Sequence, residues 1–96
     1  MNQRLAKIRS QLKQIKLDCL FLTNPANISY STSYTSRDSY LLISPRKNVY
    51  FTDSRYTEEA KANLPGSSEI KTLKHPVFEE VAAVCKAHKF KRVGFE

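Results

Sequence analysis

The sequence has only two glycines in 96 residues, and neither stands in a glycine-rich run of the kind that cradles phosphate. A P-loop and a dinucleotide-binding turn are excluded on that ground. The two cysteines, Cys19 and Cys85, are far apart, and no C-x-x-C occurs. That spacing excludes a zinc ribbon and a thioredoxin-type redox centre. Each lies in an apolar stretch and is read as a buried, inert thiol. No apolar run is long enough to span a bilayer. The opening "MNQRLAKIRSQL" carries charge at intervals, so it lacks the apolar centre of a secretion signal. A cytoplasmic protein without membrane contact is expected. There is no internal repeat and no low-complexity tract. The length suits one domain with a modest core.

Acidic residues are missing from positions 1–17, which hold Arg4, Lys7, Arg9, Lys13 and Lys16. Lys86, Lys89, Lys91 and Arg92 gather near the other end, and the net charge is +7. Such a balance raises the question of nucleic acid. Basic residues at helical spacing usually form a solvated face, however, and the middle of the chain is balanced. Nucleic-acid binding is therefore the less favoured reading.

The chain alternates between two periodicities. Leu5, Ile8, Leu12 and Ile15 recur at three and four, which predicts an amphipathic helix over about 2–16 with its Lys and Arg on the wet side. "CLFL" reads as a strand covered on both faces. Asn24 can cap a following helix of at most two turns, with Pro25 in its first turn. "STSYTSRDS" reads as a polar loop. "YLLIS" and "VYFT" read as an antiparallel hairpin around "PRKN", with Pro45 preset for the turn and Asn48 tolerant of the left-handed conformation.

After the hairpin, Tyr56, Ala60 and Leu64 share a helical face that Pro65 and Gly66 terminate. "SSEIKTL" is a weaker strand with Ile70 and Leu73 turned inward. Pro76 starts another helix, with Glu79 and Glu80 near its positive end. Its buried stripe is Val77, Val81, Val84 and Cys85, with Phe78 and Ala82 beside them. "FKRVGFE" ends as a strand led by Val93 and Phe95. Alternating helices and strands predict an α/β fold, a mixed sheet with helices packed on it.

The residue types that carry chemistry are sparse. There is no G-x-S-x-G elbow for a nucleophilic serine. His75 ends a loop before Pro76, and His88 sits near a helix end where a cation is favourable. Cys85 and His88 can share a helical face, but they lack the second pair that a metal needs. Glu58 and Glu59 are adjacent and diverge on a helix, so they are poor partners for paired-carboxylate catalysis.

The stretch "DSRY", Asp53 to Tyr56, is different. Asp53 can accept from the free amides of the next helix's first turn. Tyr56 can bury its ring under the sheet. Arg55 is placed to hold a carboxylate bidentately. Its carboxylate can belong to a neighbour in the fold, to a partner subunit, or to a ligand. The residues themselves leave that choice open.

"TDSRYTEEA" resembles the TD-x-RY-x-x-x-A signature of the creatinase/prolidase N-terminal domain, which precedes the catalytic domain of Xaa-Pro peptidases. "NISYSTSY" resembles the family's N-I-x-Y-x-T-G-[FY] segment at Asn27, Ile28, Tyr30, Thr32 and Tyr34. "RVGFE" looks like its late strand. The resemblance covers nearly the whole chain. It departs at Ser31, where leucine is common, and at Ser33, where glycine allows a left-handed turn.

The resemblance implies a ribonuclease H-like mixed sheet flanked by helices, with 1–96 forming one such domain, incomplete at its C-terminal end. It implies no catalytic residue and no metal ligand within this stretch. Asn27, Tyr30, Asp53 and Tyr56 would be structural motif residues. Arg37, Asp38 and Arg55 would be contacts for substrate or a partner subunit. The family's chemistry belongs to an absent catalytic domain with a pair of divalent metals, manganese, cobalt or zinc, acting on Xaa-Pro peptides in a homodimer. The N-terminal domain supports dimerisation and walls the active site. Creatinase-like hydrolysis of other substrates also fits. A stand-alone protein-interaction module is the alternative, and a small basic nucleic-acid-binding domain the weaker one.

Overall fold

A computed structural model describes residues 3–32, 34, 39–45, 47–64 and 68–95. The elements run α1 (Gln3–Gln14), β1 (Cys19–Leu22), α2 (Pro25–Thr32), β2 (Ser39–Ile43), β3 (Asn48–Thr52), α3 (Thr57–Asn63), β4 (Ser68–Thr72), α4 (Val77–Ala87) and β5 (Val93–Phe95). The strands form one five-stranded sheet in the order β4-β3-β2-β1-β5. Neighbours β1–β2 and β2–β3 are antiparallel, while β3–β4 and β1–β5 are parallel. The mixed α/β sheet expected from the alternation is what the chain forms.

Side-chain alternation along the strands divides the core in two. On one face Leu22, Leu41, Ile43 and Tyr50 pack with Leu5 and Leu12 of α1, Ile28 of α2, Ala60 of α3, and Leu64 at its C-terminal end. On the other face Cys19, Phe21, Leu42, Val49 and Phe51 meet Val81, Val84 and Cys85 of α4. The sheet is thus covered on both sides, which explains why its central strands read as near-continuous apolar runs.

Several boundaries differ from the sequence reading. The first helix stops at Gln14, and Lys16 takes a left-handed conformation with φ 59°. Ile15 therefore leaves the apolar stripe and is 61% exposed. Arg9 is not on a wholly wet face: its Nε donates to Ser44 O at 2.9 Å and an Nη to Asn48 Oδ1 at 2.7 Å. Asn48 is no left-handed turn residue. It is the first residue of β3, paired opposite Ile43, and its buried side chain receives Arg9.

The polar stretch read as a loop also gives up both ends. Ser31 and Thr32 complete α2 and are buried, and Ser39 opens β2. Of α4's expected stripe, Val81, Val84 and Cys85 are buried and Val77 half-buried, whereas Phe78 beside it is 64% exposed.

Candidate functional site

The β2–β3 register places Ser39 opposite Thr52, so the "DSRY" turn leaves the sheet beside the start of β2. Asp53 organises that turn. Its Oδ1 accepts from Arg55 N at 2.9 Å and from Arg55 Nε at 3.0 Å. Its carbonyl accepts from Tyr56 N at 2.9 Å and from Thr57 Oγ1 at 3.3 Å. The Arg55 backbone N–H, and then its guanidinium, hold the Asp53 carboxyl below the usual carboxylate range.

This corrects the expected helix cap. Tyr56 is the cap residue of α3, with no side-chain cap hydrogen bond, and Asp53 ties the turn before it. An aspartate bonding its own backbone two residues on is an Asx turn, which competes with capping for the same oxygens.

Tyr56 is half-buried rather than sunk under the sheet. The Arg55 guanidinium lies 5.2 Å from its ring centroid. A carboxylate on one side and an aromatic face on another hold a side chain that is still 66% exposed. The geometry presents a planar cation at the end of the sheet, suited to a carboxylate from outside this stretch. Thr57 Oγ1 shares a 2.7 Å hydrogen bond with Thr72 Oγ1, which ties the start of α3 to the end of β4.

The second motif splits by exposure. Asn24 Oδ1 accepts from Ala26 N at 2.9 Å, the cap expected for α2. Thr32 Oγ1 donates to Ile28 O at 2.8 Å and accepts from Tyr34 N at 3.2 Å. Tyr34 then packs on Tyr50 with ring centroids 6.1 Å apart. Ile28, Thr32 and Tyr34 therefore fix α2 to the sheet, while Asn27 and Tyr30 face outward. Arg37 and Asp38, with Ser33, lie outside the described residues.

The remaining candidates do not converge. Cys85 is buried and His88 exposed, so the two do not form half of a metal site. His88 stacks on Phe90 at 5.4 Å, and His75 is exposed before Pro76. Among the described residues no three His, Cys, Asp or Glu side chains come together as ligands would.

Cys19 of β1 and Cys85 of α4, remote in sequence, pack in the same buried cluster. Burial pushes Cys19 up to about 12 and raises Cys85 as well. No sequence signal marks that pairing, because strand and helix bring it about only after folding.

The five-stranded mixed sheet is covered on both faces, with the aspartate–arginine turn at one end. The chain belongs to the family described as the creatinase/prolidase N-terminal domain, whose model matches residues 4–96. It is 30% identical over 95 residues to the uncharacterised peptidase YqhT of Bacillus subtilis, covering 97% of this chain but 26% of that protein. Among solved structures, an Xaa-Pro aminopeptidase from Streptococcus pyogenes matches with TM-score 0.89 and 32% identity over 97% of this chain and 70% of that one. An Xaa-Pro dipeptidase from Bacillus anthracis matches with TM-score 0.88 and 28% identity, over 98% of this chain and 26% of that one. The chain thus spans about a quarter of the curated relative it matches. No helix among the described residues is long and apolar enough to cross a membrane.

Proposed function

We propose that this chain is the noncatalytic N-terminal domain of a cytoplasmic, metal-dependent Xaa-Pro peptidase, a dipeptidase or aminopeptidase P, and that it supports dimerisation and walls the active site. One observation carries the reading: nearly the whole chain matches a quarter of a peptidase's length, in a fold shared with Xaa-Pro peptidases. The hydrolytic step needs a metal-activated water, and the described residues gather no ligand set for one. The metal pair and the peptide-cleaving chemistry are assigned to a further domain from the family resemblance. Arg55, paired with Asp53 and 66% exposed at the end of the sheet, is assigned to the walling role as a contact for a peptide terminus or an acidic side chain of a second subunit. Arg37 and Asp38 are assigned the same role from the family resemblance.

The test joins this chain to the catalytic remainder of an Xaa-Pro relative. The fusion is expected to retain divalent metal after dialysis and to cleave an Xaa-Pro dipeptide. The 96-residue chain alone is expected to do neither. Arg37→Ala, Asp38→Ala or Arg55→Ala in the fusion should change substrate use with metal content unchanged. Chelator-sensitive cleavage by the chain alone would overturn the assignment.

A further inference from the structure

Arg9, Lys13 and Lys16 from the start of the chain line one edge of the fold, where Lys91 and Arg92 from its end bond Asp18 through their backbone. There α1, the α1–β1 connection, the β2–β3 turn and the α4–β5 connection border two open grooves, which share Leu17, Asp18 and Pro45. The first, of about 750 Å³, is walled by Arg9, Ser10, Lys13 and Lys16. The second, of about 640 Å³, is walled by Lys47, His88 and Phe90. They lie at the Ser44–Lys47 end of the hairpin, opposite the Asp53–Arg55 turn.

The charge in these grooves is only partly offset, by Glu69 against Lys47 and by Asp18 near Lys91 and Arg92. Asp18 is the one acid lining them among the described residues, and it is engaged by the backbone N–H groups of Lys91 and Arg92. Lys47 is paired with Glu69, but Lys13, Lys16, Lys91 and Arg92 have no ion pair among the described residues. Arg9 is held by Ser44 and Asn48 and so is fixed in place before any ligand arrives. Arg9 and Lys13, four apart on α1, are separated by about 6 Å along the helix axis. Such a row of cations can follow the successive charges of an extended anionic chain.

The second groove adds a flat surface. His88 lies over Phe90 at 5.4 Å with ring planes 18° apart, and both rings line it. Aromatic and imidazole faces accept stacked bases, whereas carboxylate side chains of an acidic peptide gain nothing from them. Cations on one stretch and a stacking face on the next are the two features of a single-strand groove.

We propose that these joined grooves bind single-stranded nucleic acid, with phosphates against Arg9, Lys13 and Lys16 and a base on the His88–Phe90 stack. This activity is separate from the peptidase role, uses the opposite end of the sheet, and does not depend on it.

The test is fluorescence anisotropy of the 96-residue chain with a labelled oligothymidylate of about ten nucleotides. Engaging three phosphates gives a slope of log affinity against log salt near about −2. Lys13→Glu combined with Lys16→Glu should weaken binding at least about tenfold and flatten the slope. His88→Ala should weaken it about fivefold or more at fixed salt without changing the slope. Lys61→Glu, at an exposed position of α3, should bind as the unaltered chain does, and melting curves confirm that each variant folds. Unchanged affinity in the double variant would overturn the proposal. So would equal binding of an oligoglutamate, which would mark an acidic-protein surface. Equal binding of a duplex would mark undirected charge attraction, and equal binding of a mononucleotide would mark a small-ligand pocket; either outcome would also overturn it.

Discussion

Asp18 and Arg92 grip each other from both sides. Asp18 N donates to Arg92 O at 2.8 Å, and Arg92 N donates back to Asp18 Oδ2 at 2.9 Å. Lys91 N reaches the same carboxylate oxygen at 2.7 Å. The clasp sits one residue before Cys19 pairs with Val93, so it sets the register of the parallel β1–β5 pair. A strand of three residues has little else to hold it. At Gly94 an added Cβ would come 2.6 Å from Leu17 Cδ1, so β5 also approaches its neighbours closely.

The clasp makes stability depend on pH. The N–H groups of Arg92 and Lys91 depress the Asp18 carboxyl, and the Arg55 N–H depresses that of Asp53. A depressed carboxyl stabilises the fold above its unfolded value of about 3.9, and that contribution is lost as pH falls through the folded value. Denaturant midpoints are therefore expected to fall below about pH 4. Asp18→Asn should flatten that limb and lose amide-exchange protection at Lys91 and Arg92 first. An identical acid limb in the variant would contradict this account.

The Cys19–Cys85 contact predicts silent thiols. With Cys19 raised to about 12 by burial, and Cys85 raised too, neither offers appreciable thiolate at pH 8. A disulfide reagent should label the native chain only through opening of the β1–α4 interface. Both thiols should react at once in denaturant. Fast labelling of the native chain would place at least one of them at the surface.

Tyr50 has a fully buried side chain, and its hydroxyl has no hydrogen-bond partner among the described residues. Burying an unpaired hydroxyl costs about 1–3 kcal/mol, and removing it leaves the ring packing intact. Tyr50→Phe is expected to raise stability by roughly 1 kcal/mol, read from the urea midpoint. A loss of that size would reveal a partner for the hydroxyl.

The "DSRY" turn separates structure from contact. Arg55 is 66% exposed, and its pair with Asp53 is an exposed one. Arg55→Ala should change stability by about 0.5 kcal/mol or less. Asp53→Ala removes the acceptor of both Arg55 bonds and should destabilise more. Equal and large losses would show that Arg55 belongs to a structural ion network.

The layers of the fold were legible in the sequence because they rest on local periodicity. Leu5 and Leu12, the β2–β3 apolar run, and Val81, Val84 and Cys85 are all buried as their spacing predicts. What was not legible depends on contacts remote in the chain. Nothing near Asn48 announces Arg9, and nothing near Asp18 announces Arg92. Asp53 shows a subtler limit. Its residue type suits a helix cap and an Asx turn equally, and only the position of Arg55 decides between them. Arg55 was legible as a carboxylate holder, but that Asp53, two residues away, is one of its partners was not.

The two edges of the sheet predict how the chain associates. At one edge β4 carries Lys71 and Glu69, and charge on an edge strand discourages pairing with another chain. At the other edge β5 reads Val-Gly-Phe and carries no charge. Phe95 there is 63% exposed, and Phe78 of α4 is 64% exposed. Both rings pack edge-on against Phe21, with centroids 6.2 and 5.9 Å away, so they form one aromatic patch beside the strand. Open backbone groups and adjacent apolar surface together favour strand addition from another copy. The 96-residue chain is therefore expected to self-associate as concentration rises, read by sedimentation velocity. Phe95→Lys should restore a monomer without lowering the melting temperature, because that side chain is mostly outside the core. A monomer at every concentration of the unaltered chain would show that the β5 edge is protected.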